Sequence, residues 1–514
     1  MNCGELLRRA AGICGDKPAL FEGTRRISNF GELDARAAAI AGYFHASLKL
    51  ERGDRVVLFS GNSPSYIEAM FGCWYAGLIA VPVNSRLHTR EVAHIIQDTE
   101  ASLCLCDEAH AALALESMRL AGRQDPVLPI ELPDVAVDAT EFSGPASIQP
   151  GEIAWLFYTS GTTGRPKGAM LSHGNLVAMS LSYVVELDRI EPGDAIIHAA
   201  PLSHGSGLLL LPHVLRFAAQ VVPVSGGFDP AETWELVGEH PRSTLFAAPT
   251  MIQRLVAFAE VNHVPIDSLK QVVVGGAPFY ADDARRAIHA LDGRVAQLYG
   301  QGETPMTIAV LPSDLYKQRE RPDYPSLIGS VGYPHAILDV LTIDEAGQPC
   351  ATGTVGEIIV RGPTVMEGYW RDPAATASAL RDFWLYTGDL GSFDEQGMLT
   401  LRGRSKEVII SGGSNIYPRE VEDILLEHPD VAEAAVVGRA HPEWGEEVVA
   451  FVVGRNGTSI LPDDLDAWCL DRIARFKRPK IYSIVESLPH NAYGKVQKSV
   501  LIEQFVQHDA AEQR

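Results

Sequence analysis

Short apolar runs alternate with segments of helical spacing along the N-terminal part of the chain. RVVLFS (55–60), LIAVPVN (78–84) and SLCLC (102–106) have the length and composition of buried strands. Ser63 and Pro64 predict the start of an intervening helix, because serine caps free backbone N–H groups and proline lacks one. Strands that alternate with helices favour parallel pairing through right-handed crossovers.

The same alternation returns after residue 195, and each apolar run there leads into a polar turn rich in glycine, serine, threonine or histidine. In an open parallel sheet, ligands bind at the carboxyl ends of the strands. We therefore expect the turns that follow these runs to line one cleft. The runs are AIIHAAP (195–201), TLFAAPT (244–250), QVVVGG (271–276) and VAQLYG (295–300).

Three other stretches depart from this pattern. Residues 107–151 contain several prolines and acids and are predicted to be a loosely structured connection. From about residue 326, short alternating runs predict a small antiparallel sheet or barrel. After residue 405, a helix that opens at Pro418 and further alternating runs predict a compact α+β domain. The short alternating runs are LIGSVGYP (327–334), ILDVLTI (337–343), VGEIIVRG (355–362) and GMLTLRG (397–403).

The expected fold class is therefore α/β. A large N-terminal domain would combine doubly wound sheets with a small β-barrel-like subdomain, and a small α+β C-terminal domain would follow.

A loop of small and hydroxylated residues, TSGTTGRPKG (159–168), follows the apolar run EIAWLFY (152–158). The segment after it, SHGNLVAMSLSYVVEL (172–187), predicts a helix with Ser172 as its cap. A strand, a glycine-rich loop and a helix in this order are typical of phosphate binding, since backbone N–H groups, hydroxyls and Lys167 can all donate. The spacing differs from the Walker A motif. A flexible surface loop is the alternative interpretation.

Composition narrows the classes of partner. The chain has 514 residues, enough for two or more domains, and a net charge of −22. That charge argues against nucleic acid or an anionic membrane as a partner, because both need a positive surface. Seven scattered cysteines without a CxxC pair indicate reduced thiols. With no signal-peptide order at the start and no run long enough to span a bilayer, a cytoplasmic location is expected.

Motifs spread over nearly the whole chain resemble, in their order, those of the class I adenylate-forming enzymes, the superfamily of acyl-CoA synthetases, peptide-synthetase adenylation domains and luciferases. The resemblance implies an N-terminal adenylation domain of residues 1–404 and a mobile C-terminal lid of residues 405–514, with a hinge near Lys406. The motifs are YTSGTTGRPKGAMLSH (158–173), PLSHGSG (201–207), YGQGE (299–303), YTGDLG (386–391), GRSKEVIISGGSNIYPREVE (403–422) and NAYGKV (491–496).

The resemblance implies an ATP-dependent carboxylic acid–CoA ligase that uses Mg²⁺. The family joins a carboxylate to AMP, releases pyrophosphate and then passes the acyl group to the thiol of coenzyme A. The expected substrate is a hydrophobic aliphatic or aromatic acid, and the expected state is a monomer or homodimer. An acyl-AMP ligase that serves a carrier protein is one alternative, and a non-catalytic ATP- or AMP-binding protein is another.

The resemblance also implies roles for individual residues. Lys495 would bridge the carboxylate and the α-phosphate, Glu303 would hold Mg²⁺, and His204 would stand at the mouth of the acyl tunnel. A helix-start carboxylate is the alternative for Glu303. The residues expected to bind ATP or AMP are Thr159, Ser160, Gly161, Thr162, Thr163, Gly164, Lys167, Gly276, Ala277, Gln297, Tyr299, Gly300, Asp389, Arg404 and Lys495.

The basic segment RFKRPK (475–480) suits the phosphates of coenzyme A, with a solvated helix end as the alternative. The residues expected to bind coenzyme A are Arg86, Ser411, Gly412, Gly413, Trp444, Phe476, Arg478 and Lys480. The residues that the resemblance implies for the acyl pocket are His204, Gly205, Ser206, Phe246, Gly275, Gly300, Pro305 and Met306.

One position departs from the family pattern. The family usually has a threonine directly before the metal-binding glutamate, and this chain has Gly302. A hydroxyl donor to the α-phosphate is therefore missing. We expect a backbone N–H or Thr304 to take its place.

Overall fold

The computed structural model describes residues 1–132, 144–159, 166–411, 414–455, 458, 460–491 and 495–512. The strands are β1 (Pro18–Glu22), β2 (Arg25–Asn29), β3 (Arg55–Phe59), β4 (Ile79–Val83), β5 (Leu103–Cys106), β6 (Val127–Pro129), β7 (Ile153–Thr159), β8 (Lys167–Ser172), β9 (Ala195–Ile197), β10 (Ala219–Val222), β11 (Ser243–Ala247), β12 (Leu269–Val274), β13 (Val295–Gln301), β14 (Thr304–Leu311), β15 (Tyr333–Pro334), β16 (Asp339–Ile343), β17 (Gly356–Arg361), β18 (Leu380–Arg381), β19 (Trp384–Phe393), β20 (Leu399–Arg404), β21 (Ile409–Ser411), β22 (Ser414–Ile416), β23 (Val431–His441), β24 (Gly445–Gly454) and β25 (Ile481–Val485).

The helices are α1 (Gly4–Cys14), α2 (Phe30–Ala46), α3 (Pro64–Tyr75), α4 (Thr89–Thr99), α5 (Ala111–Leu120), α6 (His173–Glu186), α7 (Gly205–Leu215), α8 (Pro230–Glu239), α9 (Pro249–Asn262), α10 (Ala281–Ala290), α11 (Ser313–Lys317), α12 (Tyr324–Gly329), α13 (Pro373–Ala379), α14 (Pro418–Leu426), α15 (Pro462–Arg472) and α16 (Lys498–Glu512). Short 3₁₀ turns cover Glu108–His110 and Ser405–Glu407. No helix of the described residues is long and apolar enough to cross a bilayer.

The first sheet has six strands in the order β6-β5-β3-β4-β7-β8. Its strands are parallel except β8, which runs antiparallel to β7. The strands predicted at 55–60, 78–84 and 102–106 are confirmed, and the Ser63 side chain caps α3 by accepting a hydrogen bond from the Tyr66 N–H.

The segment around the glycine-rich loop differs from the predicted order of strand, loop and helix. Lys167 pairs with Thr159 as β8 returns along β7, so the loop joins the two strands of a hairpin. The helix α6 begins only after Ser172, whose side chain caps it as predicted. Residues 160–165 lie outside the described residues. The prediction missed β8 because six residues are too few to show a period.

The second sheet has nine strands in the order β15-β14-β13-β12-β11-β9-β10-β1-β2. The neighbouring strands β9, β11, β12 and β13 are all parallel. Their carboxyl ends therefore meet at one edge of the sheet, which confirms the predicted arrangement of the turns that follow them. The strands β14 and β15 run antiparallel and close this side of the sheet.

Two predictions about irregular segments were wrong. Of the predicted connection 107–151, the part up to residue 132 contains α5 and β6, and the buried side chains of Ala114 and Met118 pack α5 against the first sheet. Residues 133–143 lie outside the described residues. The run at 327–334 forms the end of α12 and the two-residue β15, which joins the second sheet instead of a small one. Prolines and acids concealed the first element, and the second is too short for periodicity to identify.

Two smaller sheets complete the fold. The strands β16 to β20 form an antiparallel sheet of five strands, as the alternating pattern predicted. The C-terminal unit, residues 409–512, has its own five-stranded sheet with α14 and α15 on one side. This unit therefore has a separate hydrophobic core, as a domain requires.

Candidate active site

A buried aspartate links the second sheet to the small antiparallel sheet. Asp389 on β19 accepts hydrogen bonds at Oδ2 from the Tyr299 hydroxyl at 2.8 Å and the Gln301 amide at 2.7 Å. Arg404 on β20 approaches Oδ1 with its Nε at 3.0 Å. Burial and the nearby Asp389 raise the pKa of Tyr299, so the phenol remains a donor. Both carboxylate oxygens are thus held in place, and the Tyr299 ring is packed among core side chains.

Glu303 lies in the turn between β13 and β14, at the same edge of the sheet. Its Oε1 accepts hydrogen bonds from the Tyr369 hydroxyl at 2.7 Å and from the Thr159 hydroxyl at 3.4 Å. Both bonds fall on one oxygen. This geometry does not support the helix-start alternative, because Glu303 precedes a strand.

Magnesium fits this site only as an ion shared with a substrate. Among the described residues, no three histidine, cysteine, aspartate or glutamate side chains cluster as a protein-only metal site requires. Mg²⁺ is commonly held by one or two carboxylates together with substrate phosphates and water. Glu303 matches that mode, since its hydrogen bonds leave Oε2 for a further ligand.

Lys167 faces the same region from the start of β8. Its Nζ lies 5.3 Å from the centroid of the Tyr369 ring and 3.8 Å from Oδ2 of Asp372. The predicted phosphate ligands Ser160, Gly161, Thr162, Thr163 and Gly164 lie outside the described residues. Thr159 and Lys167 therefore mark the two ends of the predicted phosphate loop.

Lys495 of the C-terminal unit reaches this cleft. Lys495 is an exposed residue. Even so, removal of its ammonium group from water by the surrounding protein, followed by the charge of Arg404, lowers its pKa, while Asp389 and Glu303 raise it. Burial and the charge of Lys495 lower the pKa of His204 to about 4. A cation from one unit and carboxylates from the other thus share one electrostatic environment.

The residues predicted for the acyl pocket separate into two groups. A Cβ placed on Gly205 would lie 2.5 Å from the Phe246 ring, and one on Gly275 would lie 3.4 Å from it. A Cβ on Gly300 would lie 2.6 Å from the backbone of Met306, whose φ of +61° is rare for a residue with a long side chain. Pro305 lies beside it, in the buried start of β14. These positions therefore gather around Phe246 and Met306.

Ser206 does not join that group. It is fully buried, and its hydroxyl is hydrogen-bonded to Nδ1 of His198 at 2.8 Å.

Among the residues predicted to bind ATP or AMP, Gly276 takes a φ of +85° as the chain leaves β12, and Ala277 follows in the same turn. Gln297 is buried and accepts a long hydrogen bond from Tyr316 at 3.4 Å.

The structure explains the glycine at position 302. A Cβ there would lie 2.5 Å from Cγ2 of Thr159 and 2.7 Å from Cδ1 of Phe157. The Phe157 ring in turn packs against the His204 ring with centroids 4.7 Å apart. The expectation that Thr304 replaces the missing hydroxyl is not supported, because Thr304 is fully buried and its hydroxyl is bonded to Thr307 and Thr364 at 3.3 and 3.2 Å.

Two of the predicted coenzyme A residues, Lys480 and Trp444, lie together on the C-terminal unit. Nζ of Lys480 lies 5.6 Å from the Trp444 ring, which stacks on His441 with centroids 4.7 Å apart. Burial and the neighbouring Arg478 lower the pKa of Lys480. Arg478 itself forms an ion pair with Asp466 at 2.5 Å. Lys480 and Trp444 are therefore better placed than Arg478 to meet a ligand.

The remaining predicted coenzyme A positions are dispersed. Phe476 and Arg86 are exposed, and Ser411 ends β21. Gly412 and Gly413 lie outside the described residues.

Polar contacts join the C-terminal unit to the rest of the molecule. The Tyr280 hydroxyl donates to Glu422 at 2.8 Å, and Arg419 donates to the carbonyl of Phe279 at 3.2 Å. Arg285 and Glu427 approach to 3.6 Å. The helix α14 thus docks on the segment between the turn at Gly276 and α10.

Comparison with known families agrees with this arrangement of two units around one cleft. The profile described as AMP-binding enzyme matches residues 7–370, and that of the AMP-binding enzyme C-terminal domain matches residues 420–495. The chain belongs to the AMP-binding enzyme family. The resemblance drawn from the motifs is therefore confirmed.

Two relatives of this AMP-binding enzyme act on aromatic acids by their names. It is 37% identical over 481 residues to a feruloyl-CoA synthase of Amycolatopsis sp, covering 93% of this chain and 94% of the relative. It is 34% identical over 499 residues to a 2-succinylbenzoate–CoA ligase of Geobacillus kaustophilus, covering 95% of each.

Two crystal structures of one protein, MatB from Rhodopseudomonas palustris, are similar to this fold. The AMP-binding enzyme superposes on ATP-bound MatB with a TM-score of 0.85 and on apo MatB with a TM-score of 0.77. In both cases the identity is 32%, and 98% of this chain and 99% of the other are covered. The overall arrangement is therefore closer to the ATP-bound crystal structure.

Sequence reasoning missed three contributors to this cleft. Tyr369 donates to Glu303, which lies 66 positions earlier in the chain. Phe157 occupies the space beside Gly302, and Tyr280 donates to Glu422 of the docked helix α14. The glycine at 302 was a signal that a neighbour is large. For Tyr369 and Tyr280 the sequence carries no such signal, because their partners are distant in the chain.

Proposed function

We propose that this AMP-binding enzyme ligates an aromatic carboxylic acid to coenzyme A. The reaction is ATP-dependent acid–CoA ligation through an acyl-AMP. A carboxylate oxygen attacks the α-phosphorus of ATP and pyrophosphate leaves; the thiol of coenzyme A then attacks the acyl carbonyl and AMP leaves. The observation that carries the proposal is Lys495 of the C-terminal unit in one cleft with Asp389, Arg404 and Glu303.

The first step brings two anions together, so its catalysis depends on positioning and on neutralising charge. Lys495 is suited to bridge the carboxylate and the α-phosphate as negative charge develops. Lys167 is suited to the β- and γ-phosphates. Asp389, already oriented by Tyr299 and Gln301, is suited to accept hydrogen bonds from the ribose hydroxyls. Mg²⁺ bound by Glu303 would neutralise phosphate charge.

The second step needs Lys495 to leave the cleft so that a thiol can enter. The short 3₁₀ turn Ser405–Glu407, which contains Lys406, stands directly before the C-terminal unit and is our proposed hinge. We place domain boundaries there, with residues 1–404 and 405–514 as the two domains. Trp444 and Lys480 are suited to the adenine and phosphates of coenzyme A.

The substrate class follows from the rings near His204. Phe157 packs against His204 with its ring tilted, and Phe246 packs against Gly205 and Gly275, so aromatic rings border the predicted acyl pocket. The aromatic acids named for the two relatives support the same class.

The cytoplasmic location stays a prediction, supported by seven free cysteines.

The test is pyrophosphate release from MgATP over a panel of acids. The panel holds benzoate and cinnamate types and straight-chain acids from acetate to palmitate, each with and without coenzyme A. We expect coenzyme A-dependent release with the aromatic acids, with AMP and acyl-CoA found together by mass spectrometry. Pyrophosphate and acyl-AMP without an acyl-CoA product would indicate another acceptor. ATP binding without turnover of any acid would indicate a non-catalytic protein.

A further inference from the structure

A short segment, residues 366–370, connects the turn that carries Glu303 to the hairpin that carries the phosphate loop. The Met366 N–H donates to the carbonyl of Glu303 at 2.8 Å. Further along, the Glu367 N–H donates to the carbonyl of Met170 at 2.9 Å, and the Met170 N–H donates to the carbonyl of Gly368 at 2.8 Å. The segment therefore holds these two parts of the cleft together through backbone bonds.

Tyr369 makes the side-chain counterpart of this connection. Its hydroxyl donates to Oε1 of Glu303 at 2.7 Å, while Nζ of Lys167 lies 5.3 Å from the centroid of its ring. Its own backbone is held by a hydrogen bond from its N–H to Oγ1 of Thr376 at 2.9 Å. One side chain thus contacts both the proposed metal ligand and the proposed phosphate lysine.

We propose that Tyr369 is a positioning residue, which holds the Glu303 carboxylate for the magnesium ion and Lys167 for the phosphates. This inference rests on the proposed function of Glu303 and Lys167. The hydroxyl donates to one oxygen of Glu303 and restricts rotation of the carboxylate, so that Oε2 would remain available to a magnesium ion.

The chemistry of the contact agrees with this role. The phenol O–H of Tyr369 donates to a carboxylate oxygen of Glu303 at 2.7 Å. A hydrogen bond to a charged group is stronger than one between neutral groups. The face of an aromatic ring also attracts an ammonium group, so the ring restrains Lys167 without neutralising it.

Tyr369→Phe is the decisive variant, because it removes the hydroxyl and keeps the ring. Tyr158→Phe is the matched control. Tyr158 lies on β7, in the hairpin that carries Lys167, and its hydroxyl donates to Oδ2 of Asp98 at 2.5 Å instead of to Glu303. We expect Tyr369→Phe to raise the Mg²⁺ concentration for half-maximal pyrophosphate release by roughly 10- to 100-fold, the order for losing one charge-assisted hydrogen bond. The kcat at saturating Mg²⁺ should change by less than about twofold.

A binding measurement makes the test independent of turnover. The affinity of Mn²⁺ for enzyme loaded with α,β-methylene-ATP, followed by electron paramagnetic resonance, should fall by a similar factor in Tyr369→Phe and stay unchanged in Tyr158→Phe. Tyr369→Leu, which also removes the ring beside Lys167, should in addition raise the KM for ATP.

Two results would overturn the inference. Unchanged Mg²⁺ and Mn²⁺ dependence in Tyr369→Phe would mean that Glu303 needs no partner once an ion is bound. An equal loss in Tyr158→Phe would assign the effect to the hairpin as a whole. Absence of pyrophosphate release from the wild type would instead refute the proposed function, and the Mn²⁺ measurement would still decide the role of Tyr369.

Discussion

The two sides of the cleft are built in different ways. On the large side, Asp389 and Glu303 are each held by hydrogen bonds from side chains on other strands or loops. On the side of the C-terminal unit, the backbone N–H of Lys495 donates to the side-chain oxygen of Asn491 at 3.0 Å. Its ammonium group interacts electrostatically with Arg404, Asp389 and Glu303. The large side is therefore preorganised, and the other side depends on docking.

The surface on which the C-terminal unit docks combines apolar packing with polar contacts, as a surface that must open and close requires. The Tyr280 ring packs against the core of the C-terminal unit, while its hydroxyl and the side chain of Arg419 make polar contacts across the boundary. A polar interface can open without exposing a large apolar area. One cleft can thus present the same large side to two successive reactions and change only the smaller side.

The largest expected effect comes from removing the charge on the docked side. Lys495→Ala should lower acyl-AMP formation by roughly 10²- to 10³-fold, the range for losing one transition-state charge donor. Thioester formation from supplied acyl-AMP should stay near the wild-type rate. Single-turnover measurements of each half-reaction would check this.

Arg472→Ala is the control for that variant, since Arg472 is a cation of the same unit, lies outside the basic segment 475–480 and is paired with Asp471 at 3.0 Å. It should leave both half-reactions unchanged. Equal losses of both half-reactions in Lys495→Ala would contradict the idea that this lysine serves only the first.

The next effect tests how tightly the large side is packed. Gly302→Thr should lower kcat/KM for acyl-AMP formation by roughly 10- to 100-fold, because overpacking a site of this kind displaces its neighbours. Adding Phe157→Ala should recover part of that loss, since the Phe157 ring takes the space that the new side chain needs. Full kinetics of both single variants and the double variant would measure the coupling.

Gly151→Thr is a suitable control, because a Cβ at Gly151 meets nothing within 4 Å. Independent, multiplying effects of the substitutions at 302 and 157 would show that the two residues do not share space. In that case the glycine would need another explanation.

A smaller effect concerns the surface of the C-terminal unit. Lys480→Ala should raise the KM for coenzyme A by roughly fivefold and leave the KM for ATP unchanged, as for loss of one partly exposed contact to a phosphate. Arg478→Ala should lower the melting temperature and have little effect on the KM for coenzyme A, because Arg478 is paired with Asp466. The reverse pattern would return the phosphate contact to Arg478.

The smallest expected effect is a pH dependence of docking. Burial, with a contribution from Glu422, raises the pKa of Asp423 from 3.8 to about 6, while Arg419 opposes the shift. A raised pKa means that the protonated form favours the docked state. This contribution is complete below pH 3.8 and is lost as the pH rises through about 6.

The ratio of docked to undocked molecules should therefore fall by about threefold between pH 5 and pH 7.5, since the group is partly exposed and the full shift is not realised. Energy transfer between dyes on α10 and α15 would report it. Asp423→Asn should flatten the curve, and a steep curve in that variant would assign the titration to another group.

Much of this molecule followed from local pattern. Apolar runs identified the parallel strands, Ser63 and Ser172 were recognised as helix caps, and motif order identified the family before any contact was known. The failures were β8, α5 and β15. The strands β8 and β15 are too short to show a period, and α5 lies in a stretch that contains several prolines and acids.

The amino-acid sequence by itself determined which chemistry is possible here: a glycine-rich loop after a strand, a glutamate after a glycine, and a lysine near the C-terminus. Only the tertiary structure decided that Tyr369 holds Glu303, that Phe157 excludes a side chain at 302, and that Thr304 is buried away from the cleft. The physical reason is distance along the chain. Hydrogen bonds and packing between residues far apart in sequence leave no period or spacing to read.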